Sequence, residues 1–366
     1  MVDYSKLPKT AMWDYLNETH SVLQDLLDHR TEYFKPFSDL FQKEEIQEII
    51  CTGSGTSYHC AESVRGFMSE VLRIPVLADY PRLIENYVKV IDRKVLTIGV
   101  SQSGESKSTV SALLFMKKHG SINVGFSEQD HGTSMNDCCD LVLPLHCGEE
   151  LAGPKTKGYE ASMMCLILCA LETAHDTNRI DDVKYFEYVQ RLQNTINNVD
   201  PIISESVKWY ERNEAELVEA KRFIVVGSEN NYGDVLEGRL KLEESIRFGV
   251  EGYELEEFMH GIYHSIDENV QLFYLAQEGK YKDRTFRLKN FLTDYSHHEY
   301  AIGNFAGMVD ADDPKDLSYS FVDDPYFCPL EYILPLQILA YRLSTKKGIN
   351  ANIPKIPNFH HLMGSK

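Results

Sequence analysis

Positive charge is scarce in this chain of 366 residues: 37 Lys and Arg face 56 Asp and Glu, a net charge of −19. So acidic a protein is a poor partner for nucleic acid or an anionic membrane surface. Long apolar stretches are missing too: no run of 18 apolar residues occurs, so no membrane span is expected. The opening residues, MVDYSKLPKTAMWDYLNE, lack a basic region followed by an apolar core, and no secretory signal is expected. Eight cysteines are scattered without the C-x-x-C spacing of a zinc site. Several stand inside apolar runs such as 163–171, as reduced core thiols of a cytoplasmic protein do. No low-complexity segment occurs.

What remains is an ordinary globular composition, 43% hydrophobic and 25% charged, long enough for two domains or a double domain. Residues 10–45 carry an amphipathic helical stripe of Trp13, Leu16, Val22, Leu23, Leu26 and Leu27, with Pro36 expected to interrupt it. From residue 45 onward, apolar runs alternate with helical patterns. Strands are expected at 45–52, 75–78, 95–100, 124–126 and 140–145, and helices after most of them. A long helix over 156–173 is apolar on most sides and therefore buried. After a polar helical stretch, 174–220, the pattern restarts: strands at 222–226, 270–276 and 298–302, helices at 234–248 and 329–343. The segment RFIVVGS echoes IQEIICTGS, which suggests an internal duplication of one α/β unit. Such alternation predicts parallel sheets covered on both faces, with ligands beyond the carboxyl ends of the strands.

Two turns at such ends are rich in hydroxyls. The run Val95–Val100 stops abruptly in Ser101-Gln102-Ser103-Gly104-Glu105-Ser106, and a helix starts at once. Free backbone N–H groups, hydroxyls and the positive end of a helix dipole would converge there, an arrangement that suits a phosphate. The other turn is Gly53-Ser54-Gly55-Thr56-Ser57-Tyr58. It lacks the third glycine of a dinucleotide loop and the lysine of a nucleotide phosphate loop. Further along, Glu244 falls on one helical face with Leu236, Leu240 and Phe248. Burial there would raise its pKa toward the working range of a general base; the alternative is an ordinary surface carboxylate. In Glu256-Glu257-Phe258-Met259-His260-Gly261, His260 can serve as a proton donor or simply cap the surface. A metal set of Glu257, His260 and His264 lacks the H-E-x-x-H arrangement, and no metal is expected. Thr156 and Lys157, at the start of the long buried helix, can meet an anion, or Thr156 can act as a plain cap.

Taken in order, CTGSGTSYHC, SQSGES, Glu150 followed after five residues by Thr156-Lys157, and EGRLKLEE…MHG resemble the SIS (sugar isomerase) family. The likeness covers roughly residues 10–345. It is strongest to the isomerase half of glucosamine–fructose-6-phosphate aminotransferase and to fructosamine-6-phosphate deglycases. The resemblance implies an α/β fold of two tandem SIS units, each a five-stranded parallel sheet sandwiched between helices. It implies a helical arm at 1–44, units at 45–200 and 201–345, and a tail at 346–366 near the active site. It implies a homodimer with sites at the subunit interface. Thr56, Ser57, Ser101, Gln102, Ser103 and Ser106 would hold the phosphate of a phosphorylated sugar, with Glu150, Thr156, Lys157 and Glu257 as further substrate contacts. Glu244 matches the family's catalytic glutamate and His260 its active-site histidine, often supplied by the neighbouring subunit. No cofactor is implied.

Two departures narrow the expected reaction. Val2 stands where a glutaminase would need an N-terminal cysteine, and Phe359 stands where the aminotransferase tail carries a ring-opening lysine. The first argues against glutamine-dependent synthesis; the second argues against the same isomerase chemistry and is compatible with the expected cleavage of a 6-phosphorylated ketosamine. An aldose–ketose isomerase, an amino-sugar-phosphate deaminase and a catalytically silent sugar-phosphate sensor remain as alternatives.

Overall fold

Ten short segments carry the architecture among the described residues. In the computed structural model, which describes residues 6–305 and 313–365, they form strands β1 (Glu48–Thr52), β2 (Val76–Asp79), β3 (Val95–Val100), β4 (Ile122–Ser127), β5 (Leu141–Pro144), β6 (Arg222–Gly227), β7 (Val250–Glu254), β8 (Val270–Leu275), β9 (Glu299–Gly303) and β10 (Leu317–Ser318). They make two five-stranded sheets, β2-β1-β3-β4-β5 and β10-β9-β8-β6-β7. Every pair given a register is parallel, and helices cover the sheets, so the chain is α/β with two SIS-like units. Read from the β7 end, the second sheet repeats the order of the first. The duplication hinted at by RFIVVGS is therefore an identity of topology.

The chain divides into two compact units that do not follow it in two blocks. One, here the first unit, holds Ser21–Glu150, Lys157–Gln193 and the tail from Ile356; the second holds residues 6–20, Leu151–Thr156 and Asn194–Lys355. This division cuts across the 45–200 and 201–345 blocks, and it parts the N-terminal helices between the two units.

In the first unit, all six residues of β3 are buried. The helix Lys157–Asp176 is buried continuously from Lys157 to Ala174, because it is packed between the helices Arg30–Glu44 and Thr56–Leu72. Pro36 does not interrupt the N-terminal helices: it lies inside Arg30–Glu44. A proline there sacrifices one hydrogen bond and costs about 3 kcal/mol. Phe34, Phe37 and Phe41, each at most 1% exposed on the same helix, offset it. In the second unit the helices Val199–Glu219 and Tyr232–Ile246 pack against Pro329–Lys346. Gly238 permits the closest of these approaches: a Cβ there would lie 2.2 Å from Leu336 Cδ1. Near the N-terminus, Trp13 stacks on Tyr341 at 5.5 Å. No helix among the described residues is long and apolar enough to cross a membrane.

Candidate functional site

In the first unit the two hydroxyl-rich turns meet. β1 ends at Thr52, and after Gly53-Ser54-Gly55 the helix Thr56–Leu72 begins; Gly55 takes φ +58°, which a side chain there would resist. β3 ends at Val100, and the helix Lys107–Lys118 starts after Ser106. The second turn is drawn in on itself: Gly104 N–H donates to Ser101 O at 2.8 Å, and Ser106 N–H reaches Ser101 Oγ at 3.4 Å. Gly104 adopts φ +68°, and a Cβ on it would sit 2.5 Å from Thr133 Cβ. Ser54 Oγ lies 2.9 Å from Ser108 Oγ, and Ser108 Oγ lies 3.3 Å from Ser106 Oγ. A hydroxyl chain thus joins the two turns at the N-termini of two helices, where the macrodipoles favour an anion. Neither Ser54 nor Ser108 was singled out in the sequence; Ser54 stands in the first of the two turns and Ser108 in the helix that follows the second.

Gln102 faces another group. A Cβ added to Gly158 would lie 2.8 Å from Glu150 Oε2 and 3.1 Å from Gln102 Nε2. Glu150 Oε2 accepts the Gly158 N–H at 3.0 Å. Lys157 is buried beside this carboxylate, with its Nζ near the backbone of Gly148. Thus Gln102, Glu150 and Lys157 gather around the glycine that opens the long helix. Ser57 and Thr56 are half-buried, Ser101 is buried and Ser103 is exposed. Thr156 is fully buried and belongs to the second unit. A cavity of about 280 Å³ beside the helix Lys107–Lys118 is lined by Glu105, Lys107, Val110, Ser111, Leu114 and Ser134 and contains none of the nominated hydroxyls.

The second unit carries the other nominated groups. The apolar stripe expected to bury Glu244 does not: the helix ends at Ile246, ahead of Phe248, and Leu240 is only half-buried. The buried face is set instead by the close contact at Gly238, and the Glu244 side chain is 38% exposed. Its position is nonetheless fixed. Glu244 Oε2 takes a 2.8 Å hydrogen bond from Lys241 Nζ, which also lies 3.3 Å from Glu237 Oε1. Lys241 and Glu237 are 1% and 0% exposed. Burial opposes the charge on Lys241, but Glu237 and Glu244 outweigh it and hold its pKa above the ordinary lysine range. The helix therefore presents a locked Glu–Lys–Glu row at i, i+4, i+7, with its last carboxylate reaching solvent. Sequence reasoning passed over Lys241 and Glu237, although that spacing is visible.

Glu257 and His260 follow β7 and are exposed on its carboxyl-end loop. Glu254 caps the short helix Leu255–Phe258 by accepting the N–H groups of Glu256 and Glu257 at 2.7 and 3.1 Å. Glu256 forms a two-pronged ion pair with Arg284. Among the described residues, no hydrogen bond or ion pair joins Glu244 to His260, and no group of three or more His, Cys, Asp or Glu is arranged to hold a metal. The eight cysteines are free, and Cys139 is the one among them not fully buried. The tail helix Phe359–Met363 belongs to the first unit, and Ser365 O accepts the Lys107 N–H at 3.4 Å, at the start of the cradle helix.

Comparison with known proteins agrees with this picture. The SIS domain model matches residues 43–171. The glutamine–fructose-6-phosphate aminotransferase (isomerizing) of Gloeobacter violaceus is 26% identical over 93% of this chain and 56% of its own length. The chain spans about half the length of the curated relatives it matches. A Clostridium difficile 630 protein described provisionally as a phosphosugar isomerase is 31% identical, with a TM-score of 0.89 over 97% of this chain and 98% of its own. A Salmonella typhimurium LT2 protein described provisionally as sugar-binding is 30% identical, with a TM-score of 0.82 over 91% of this chain and 99% of its own. On this fold, at this identity and coverage, the chain belongs to the SIS-domain family.

Proposed function

We propose that this protein is a sugar-phosphate enzyme that cleaves a 6-phosphorylated ketosamine into a hexose 6-phosphate and a free amine. The observation that carries the reading is the hydroxyl chain Ser54–Ser108–Ser106 at two helix N-termini, an anion cradle in a chain whose net charge would otherwise repel anions. The names borne by the relatives, an isomerizing aminotransferase and a phosphosugar isomerase, support sugar-phosphate chemistry and an enzyme. Thr56, Ser57, Ser101, Gln102, Ser103 and Ser106 hold the phosphate.

Glu244 takes a proton from C1 of the ketosamine. The C1–H electrons form the C1–C2 double bond, and the C2 oxygen is protonated to give an enolamine. Protonation at C2 then yields an imine at C1. Water adds across it and expels the amine, leaving the aldose phosphate. His260 donates a proton or assists ring opening. The substrate's own carbonyl is the electron sink, so the sequence calls for no cofactor. The enzyme acts as a homodimer, and its free thiols suit a reducing, cytoplasmic setting.

The aldose–ketose isomerase reading is favoured by the relatives' names and uses the same base. Incubation with fructoselysine 6-phosphate, glucosamine 6-phosphate and fructose 6-phosphate separates the two. Free lysine from the first is the expected result. Interconversion of fructose 6-phosphate with no amine release would replace the deglycase by the isomerase, and binding without turnover would replace both by a sensor. Glu244→Gln should keep phosphate-sugar binding and lose activity by about 10²- to 10⁴-fold; retained turnover would remove Glu244 from the mechanism.

A further inference from the structure

The segment Asn350–Ile353, just after the helix Pro329–Lys346, lies within the second unit and makes an unusual set of ties. Asn352 is 2% exposed, and both ends of its amide are engaged. Its Oδ1 accepts the Gly153 N–H at 3.4 Å, and its Nδ2 donates to Pro8 O at 3.1 Å. Pro8 O also accepts Ala11 N–H, at the first turn of the N-terminal helix. Close packing accompanies the Gly153 bond: a Cβ on Gly153 would lie 2.9 Å from Ala351 O and 3.4 Å from Asn352 Cα. From the other side, Arg247 Nη2 donates to Asn350 O at 3.0 Å and to Ile353 O at 2.7 Å. Arg247 is the left-handed cap of the helix Tyr232–Ile246, three residues beyond Glu244. The segment also closes on itself, with Asn352 N–H on Asn350 Oδ1 and Ile353 N–H on Asn350 O. It is therefore a compact turn and not a loose linker.

We infer that residues 350–353 act as a strap that fixes the Leu151–Thr156 segment to the C-terminal end of the Glu244 helix, with Asn352 and Arg247 as its positioning residues. The inference deepens the reading above, because one end of the strap bears on the base and the other on the segment that ends in Thr156, a nominated substrate contact of the same unit. Both fasteners are held by main-chain groups of the protein itself. Each acts by removing a degree of freedom: a main-chain shift of about 1 Å at a reacting group is worth up to a hundredfold in rate. A buried amide with both ends engaged resists such a shift, since breaking either bond leaves a buried polar group without its partner.

Four variants test the strap. Asn352→Ala and Gly153→Ala release or wedge the 151–156 end; φ at Gly153 is not in the left-handed region, so the alanine acts purely by volume. Both should raise KM about tenfold with a smaller change in kcat. Arg247→Ala releases the other end and should lower kcat about tenfold with KM little moved, and Arg247→Lys should recover part of it. A role confined to folding would lower the melting temperature and the active fraction in all four, without that split between KM and kcat. Hydrogen exchange supplies a readout independent of turnover: in Asn352→Ala the amides of 151–156 should exchange faster while those of β3 stay protected. Unchanged exchange at 151–156 in Asn352→Ala and Gly153→Ala overturns the strap, whatever the activity. If Glu244→Gln keeps turnover, the base assignment fails while the exchange result still decides the strap.

Discussion

The carboxyl ends of the two sheets occupy equivalent places in one repeated topology, and they hold opposite chemistry. In the first unit, where β1 and β3 part, the turns carry serines, a threonine and two helix N-termini. In the second unit, where β6 and β8 part, the corresponding turn is Gly227-Ser228-Glu229-Asn230-Asn231. There Glu229 Oε2 accepts from Gln277 at 3.0 Å, Tyr332 donates to Asp323 at 2.9 Å, and Glu331 accepts from Asn198 and from the main-chain N–H groups of Val322 and Asp323. The switch point of the second sheet is thus closed by the protein's own side chains and has the wrong sign for a phosphate. Fold position makes a binding site available, but side-chain chemistry decides what, if anything, occupies it. One unit holds the hydroxyl chain at two helix N-termini, while the other carries Glu244 and His260.

The largest effect that sharpens this contrast concerns the buried charge row of the second unit. Lys241→Met should destabilise the protein by about 3–5 kcal/mol, because Glu237 is left in the core without its lysine. The added change Glu237→Gln should recover most of that loss. Ser108→Ala, the comparable deletion in the hydroxyl cradle, should cost no more than about 1 kcal/mol, since the site is half-open. Equilibrium urea unfolding of the three variants checks the pair. Equal losses in the two units would break the distinction between a charge-built region and a dipole-built one.

The next effect is a pH dependence confined to the second switch point. Burial pushes the Glu331 carboxyl up to about 7. A carboxyl whose folded pKa lies above its unfolded value binds its proton more tightly when folded. Its contribution is full below about 4.5 and is lost as the pH rises through about 7. Wild type should therefore lose up to about 3 kcal/mol relative to Glu331→Gln as the pH is raised from 4.5 to above 7, measured as the difference between their unfolding free energies. A difference that stays flat with pH would mean that Glu331 is ionised throughout.

How much of this was legible in the sequence depends on how local each feature is. β3 and its turn could be read directly, because an apolar run of six residues ends in a cluster of hydroxyls. The parallel α/β class followed from the alternation of elements. β7 could not be read: Val250–Glu254 is only half-buried beyond its first residue, so it shows neither an apolar run nor a clean alternation. The two-residue β10 is too short to leave any signal. Of the two readings of Glu244, the exposed carboxylate is the one the structure has, because the helix packs through Gly238 against Leu336, a contact between residues 98 positions apart in the chain. The Ser54–Ser108 link and the Arg247 ties to Asn350 and Ile353 join residues far apart in sequence, and no local pattern announces such pairings.

Importing the chemistry of one switch point into the other gives a further test of comparable size. Ser106→Asp places a carboxylate in the hydroxyl chain, as Glu229 stands in the second unit. A like charge at contact distance from a phosphate near a protein surface is worth up to ~4 kcal/mol. KM for a phosphorylated sugar should rise about a hundredfold, while affinity for the unphosphorylated sugar should stay the same. A matching rise for both ligands would mean that Ser106 shapes the pocket without meeting the phosphate.

The smallest effect concerns an exposed ion pair beside a nominated residue. The Glu256–Arg284 pair tethers the loop that bears His260, yet its side chains are 39% and 42% exposed. Exposed pairs contribute about 0–1 kcal/mol and are screened by salt. Glu256→Gln should therefore lower the unfolding free energy by less than about 1 kcal/mol in dilute buffer, and the deficit should vanish near 1 M salt. The pair can matter to activity only by restricting where His260 goes, because its stability term is too small to hold the loop against substrate binding. In that case Glu256→Gln alters kcat in dilute buffer, and wild type at high salt reproduces the change. If kcat is indifferent to both, the ion pair is surface chemistry alone and says nothing about the reaction.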